Sequence, residues 1–100
     1  MYACIRRYKT DSAAEVTRLL NEEFVPRIKN LSGFLAYYVI DTGEGMLASV
    51  SVFETKGGGE ECNRMAASWV KESLQGLLGP VEITAGEAVA HVTVGELVAR

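Results

Sequence analysis

The sequence predicts one α+β domain of order strand, helix, strand, strand, helix, strand that pairs with a second copy of itself. Two observations carry the prediction: four β-rich runs are separated by two stretches whose apolar residues recur at helical spacing, and two of those runs are apolar on both faces. A third bounds the size, since 100 residues with 48% hydrophobic content fit a single domain with a real core.

Tyr2 to Lys9 is rich in aromatic and branched residues and reads as the first strand. In the polar cluster that follows, Asp11 or Ser12 is the expected N-cap, and Glu15 stands three residues after Ser12, the spacing of a capping box. Val16, Leu20, Phe24 and Ile28 then recur every fourth residue, with Leu19 and Val25 widening the stripe, which predicts a first helix laid on a core. Pro26 lacks an N–H and crowds the preceding turn, so the last turns should kink or loosen. Asn30 to Gly33 ends the helix.

Phe34 to Asp41 and Met46 to Glu54 are two apolar, β-rich runs joined by Thr42-Gly43-Glu44-Gly45, a link suited to an antiparallel hairpin. After Lys56-Gly57-Gly58-Gly59, read as a flexible entry, a second helix runs to about Leu78 with Cys62, Ala66, Trp69, Val70, Ser73 and Leu77 on one face. Gly79-Pro80 stops it. Val81 to about Val92 supplies the fourth strand, with a bulge or bend plausible at Gly86. This is the split βαβ order of a ferredoxin-like fold: a four-stranded antiparallel sheet with two helices on one face and right-handed crossovers.

A sheet with helices on one side and water on the other should alternate apolar with polar residues. Here Phe34, Ala36, Tyr38 and Ile40 oppose Leu35, Tyr37 and Val39, and Met46, Ala48, Val50 and Val52 oppose Leu47, Ser49, Ser51 and Phe53. Two helices cover one face only, and a two-fold copy of the same sheet is the economical cover for the other. A homodimer is therefore expected, and the tail from Thr93 onward is expected to reach toward the partner's sheet.

Ten basic and thirteen acidic residues give a formal charge of −3 with no basic face, which argues against nucleic acid as a partner. No export signal opens the chain and no apolar run approaches the ~20 residues of a membrane span, so a cytoplasmic protein is expected. Cys4 and Cys62 form no CxxC pair and read as two reduced, buried thiols; no metal ligand set is present.

Nucleotide-binding, nucleophile-elbow and zinc-protease motifs are absent, so candidate site residues come from placement. Trp69, the only tryptophan, falls on the core side of the second helix, where it fills the core or lines a cavity. Asn63, on the edge of that face, is solvated or offers an amide to a ligand. Tyr37 and Tyr38 point to opposite sides of their strand, so at most one faces the helix layer, with Ser49 and Ser51 as polar neighbours. Arg6 and Arg7 also face opposite ways on a central strand. One of them buries a cation that needs a carboxylate, such as Glu54 or Glu87, or a ligand oxyanion. His91, near the end of the last strand, is a surface or interface residue.

The run Gly33 to Tyr38, the segment Ser49-Val50-Ser51-Val52-Phe53-Glu54, and the helical stretches Glu60-Glu61-Cys62-Asn63-Arg64 and Ala67-Ser68-Trp69-Val70 resemble the antibiotic biosynthesis monooxygenase family, over Tyr2 to about Val92. The resemblance implies a dimeric α+β barrel with a pocket between each sheet and its helices. It further implies oxidation of small aromatic substrates without metal, flavin or other cofactor in some members. There the substrate itself forms the reactive carbanion, and the protein binds, orients and deprotonates it. On that basis Asn63 and Trp69 are the candidate catalytic residues, with Arg6, Tyr37, Tyr38, Ser49 and Ser51 around the substrate. Haem-degrading relatives place a histidine a few turns after the tryptophan, and Ser73 to Gly79 holds none, which disfavours haem. The alternative is a non-catalytic dimeric binding or structural module.

Overall fold

A computed structural model of the chain describes residues 1–94. Strands β1 (Tyr2–Lys9), β2 (Phe34–Gly43), β3 (Met46–Phe53) and β4 (Val81–Glu87) form one sheet in the order β2-β3-β1-β4, every neighbouring pair antiparallel. Helix α1 (Ala13–Leu19) continues through a π-helical turn (Leu20–Phe24) into the short α2 (Val25–Ile28), and α3 (Lys56–Ser73) is the second long helical element. The ferredoxin-like order stands as expected.

β3 reports the layering most directly. Leu47, Ser49, Ser51 and Phe53 are buried, and the residues between them are only half-buried. The buried set faces Val16, Leu20, Phe24 and Ile28 from the first helical segment and Cys62, Ala66 and Trp69 from α3, which together make the core. The predicted four-residue stripe is the one that packs. Pro26 acts as expected: its missing N–H breaks the α pattern, and Val25 bonds back five residues to Leu20 in a π turn immediately before it.

Several local expectations are corrected. Ser12 is the N-cap of α1 but its side chain caps nothing, and Glu15 pairs with Arg18, so the capping box does not form. The three glycines are no flexible entry. α3 begins at Lys56, capped by Thr55, whose hydroxyl accepts from Gly58 N–H at 3.2 Å. A Cβ at Gly59 would lie 2.6 Å from the Tyr2 ring, so this turn is glycine because the helix lies directly on β1. α3 ends at Ser73, earlier than about Leu78, because the next segment is held by β1's end: Thr10 Oγ1 donates to Leu77 O at 2.6 Å and Gly79 N–H to Lys9 O at 2.8 Å.

β4 stops at Glu87 and pairs through Gly86 in unbroken register with β1, with no bulge. The irregularities lie in β2, at Leu35 and at Thr42. The first of these changes the face assignment: Phe34 pairs with Phe53 on the helix side, while Tyr37 and Val39 share that side in place of Ala36 and Tyr38. Three consecutive residues at the hairpin have positive φ, Gly43, Glu44 and Gly45, and the last two are the central pair of a turn with the φ signs of type I′.

The other face of the sheet is open and apolar. Ile5 pairs with Val50, which pairs with Tyr38; Ala3 pairs with Val52, which pairs with Ala36; Ala48 pairs with Ile40. Tyr38 is 61% and Ile40 48% exposed. The tail expected to reach a partner lies mainly outside the described residues.

Candidate small-molecule cleft

On the covered face, the sheet, α3 and the π turn enclose a partly open cleft whose inner cavity is about 30 Å³. That interior admits one or two waters. Leu20, Phe24, Val70, Leu74 and Leu78 make apolar walls, and the polar lining is Arg6, Tyr8, Tyr37, Ser49, Ser51 and the thiol of Cys62.

Alternation of side chains along β1 sends Cys4, Arg6 and Tyr8 to this face and Arg7 to the open one. Arg6 Nη2 donates to Asn63 Oδ1 at 3.0 Å and to the Asn63 carbonyl at 3.1 Å, and Cys4 Sγ donates to the same Oδ1 at 3.1 Å. Among the described residues Arg6 makes no ion pair. The carboxylates expected to neutralise it are elsewhere: Glu87 meets the N-terminal amine at 3.6 Å, and Glu54 lies beside Gly33. A guanidinium with neutral partners keeps its full charge at the cleft wall, and a ligand anion is the natural counterion.

The titratable groups around it are held neutral. Burial pushes the Tyr37 hydroxyl well above the usual phenol range, with Tyr8 and Cys62 adding to the rise and the Ser49 hydrogen bond and the Arg6 charge opposing it. Burial likewise raises Tyr8, against the pull of Arg6. The Cys62 thiol is pushed up to about 11, chiefly by burial, although a hydrogen bond to Ser51 and the charge of Arg6 work the other way. At neutral pH the cleft therefore presents one cation, two phenol hydroxyls, two serine hydroxyls and a thiol. Among the described residues no carboxylate or histidine lines it.

Trp69 is 1% exposed on the cleft wall, its ring 5.2 Å from Phe24, and its Nε1–H donates to Glu23 Oε1 at 3.1 Å. Phe24 also touches Tyr37, centroids 5.5 Å apart. Of the sequence-predicted residues, Arg6, Tyr37, Ser49, Ser51 and Trp69 line the cleft and Asn63 joins it through Arg6. Tyr38 does not: it stands on the open face, one residue out of phase with Tyr37. Sequence reasoning missed Glu23. The available signal was a carboxylate beside the stripe residue Phe24, just before the proline that loosens the helix.

No family model and no curated protein matches the chain in sequence. Solved structures do match. A candidate antibiotic biosynthesis monooxygenase from Deinococcus radiodurans superposes with a TM-score of 0.77 at 18% identity, covering 94% of this chain and 98% of its own. The chain has the fold of the antibiotic biosynthesis monooxygenases. SnoaB, a cofactor-independent oxygenase from Streptomyces nogalater, shares that fold with a TM-score of 0.73 at 10% identity, over 91% of this chain and 95% of its own. So does a dimeric ferredoxin-like protein from an uncultured marine organism, with a TM-score of 0.68 at 14% identity and coverage of 93% and 99%.

Proposed function

We propose that the chain is a homodimeric small-molecule-binding protein, and that its cleft serves cofactor-independent oxygenation of small aromatic substrates carrying an acidic hydroxyl. The observation that carries this reading is Arg6, a cation with only neutral partners, facing a cleft whose walls are aromatic and aliphatic. The shared fold with a cofactor-independent oxygenase supports it, and the apolar open face together with a dimeric protein of the same fold supports the dimer.

Arg6 stabilises the ionised hydroxyl of a bound phenol, and the proton passes to solvent, since no carboxylate or histidine among the described residues lines the cleft. The phenolate delocalises its charge onto a ring carbon and supplies the electrons that reduce dioxygen. That carbon bonds to oxygen, and loss of its hydrogen and cleavage of the O–O bond release water and leave a quinone, one oxygen atom retained for each molecule of water formed. Asn63 holds the guanidinium in place, while Tyr37, Ser49 and Ser51 offer hydroxyls to the substrate's remaining oxygens.

The test is oxygen uptake with a panel of phenols and quinols, for wild type and Trp69→Ala. Uptake matching quinone formed, reduced in the variant, is the expected result. Absence of uptake on every substrate, with no ligand quenching of Trp69 emission, defeats the oxygenase reading. The narrowness of the inner cavity would then favour a non-catalytic dimeric binding module.

A further inference from the structure

Trp69 reaches the cleft wall with its only polar atom already engaged. An indole has one donor and no acceptor, and here that donor is bonded to Glu23 Oε1. Glu23 is half-buried, while its neighbours Asn21 and Glu22 are exposed, and Glu22 instead takes Arg18 at 2.8 Å. The difference arises in the π turn. Its widened loop, closed by Val25 N–H on Leu20 O, keeps Leu20 and Phe24 buried together and brings Glu23 in beside them. Phe24 then packs on the ring whose nitrogen Glu23 holds. Isolated π turns within helices recur at functional sites.

We propose that Glu23 is a positioning residue of the cleft: its carboxylate withdraws the Trp69 N–H from any ligand and fixes the indole against Phe24 as a rigid apolar wall, leaving a ligand's oxygens to the Arg6–Asn63 pair. The proposal rests on the cleft reading above and narrows its ligand class. An anionic aromatic is the matching class, read by apolar contact with the wall that Trp69 and Phe24 make and by charge at Arg6; a molecule recognised through a tryptophan donor is not.

Because Trp69 is the chain's only tryptophan, its indole proton gives a single, directly observable resonance. Glu23→Gln keeps an acceptor, and Glu23→Leu removes it at similar volume. The indole proton should exchange about tenfold faster in Glu23→Leu and near the wild-type rate in Glu23→Gln, as loss of a charge-assisted hydrogen bond implies. The small anionic aromatic 4-nitrophenolate, its binding read from the shift of the Trp69 indole resonance, should bind Glu23→Leu roughly 3–10-fold more weakly through lost preorganisation, with Glu23→Gln again near wild type. Unchanged indole exchange in Glu23→Leu overturns the proposal, as does faster exchange with unchanged probe affinity. Faster exchange and weaker probe binding, in a protein that consumes no oxygen with any phenol, would uphold the positioning role while refuting the oxygenase reading.

Discussion

The two faces of the sheet invert the ordinary rule. The face covered by helices buries two serines and Tyr8 and half-buries Arg6 and Tyr37, while the face open to solvent carries Ile5, Tyr38, Ile40, Val50 and Val52. Hydroxyls inside and isoleucines outside make poor sense for an isolated monomer. They make sense together if the covered face is a binding site, where polar groups await a ligand, and the open face is an interface, where a second sheet completes the burial.

The largest effect expected from breaking this contrast comes from the open face. Val50→Asp puts an unpaired charge at its centre, at a cost of about 3–5 kcal/mol in an apolar interface, so the dimer dissociation constant should rise at least ~100-fold. Sedimentation velocity across a dilution series reads this directly; a variant as dimeric as wild type would mean that the sheets do not pack through this face. On the covered face, Arg6→Met should weaken binding of an anionic phenol by about 100-fold, as truncating one partner of a buried charge pair does. Its melting temperature should hold or rise, because a half-buried cation without a carboxylate contributes little to stability. Calorimetric titration alongside thermal unfolding checks both, and a marked fall in melting temperature with intact binding would make Arg6 structural.

A third test uses proton linkage to ask how closed the covered face is. The Cys62 thiol has an ordinary value of 9.0 and is held at about 11 in the folded chain. Between these values the unfolded chain releases a proton that the folded chain keeps, so stability falls as pH rises. Tyr8 and Tyr37 are also raised and act in the same direction at higher pH. The unfolding free energy from urea titrations should be level from pH 7 to 8.5 and then decline toward pH 11, by about 1–3 kcal/mol in all. A level profile throughout would show the thiol ionising freely and the cleft open to water.

What the sequence revealed about these faces follows from which features are local. The alternation in β3 was legible because a strand's side-chain period of two maps directly onto its faces, and the stripe from Val16 to Ile28 because helical spacing does the same. The choice between Tyr37 and Tyr38 was not, since the bulge at Leu35 that sets their phase arises from pairing with β3. The partner of Arg6 was hidden for a similar reason: Asn63 is 57 residues away and reaches it only because glycines let α3 lie close against β1. Glu23 looks like a solvent-facing helical carboxylate until Pro26 forces the turn that brings it inward.

The smallest expected effect discriminates most finely between site and core. Ser49 is buried on the cleft wall with Tyr37, and its hydroxyl opposes the rise that burial imposes on the Tyr37 phenol. If the hydroxyls of the covered face exist for a ligand, Ser49→Ala removes one ordinary hydrogen bond and costs about 0.5–1.5 kcal/mol of stability. Affinity for a phenolic ligand should fall by roughly threefold, the effect of one modest hydrogen bond. A loss of stability above about 3 kcal/mol with unchanged affinity would instead mark Ser49 as a structural member of a polar core, and the covered face would lose its claim to be a site.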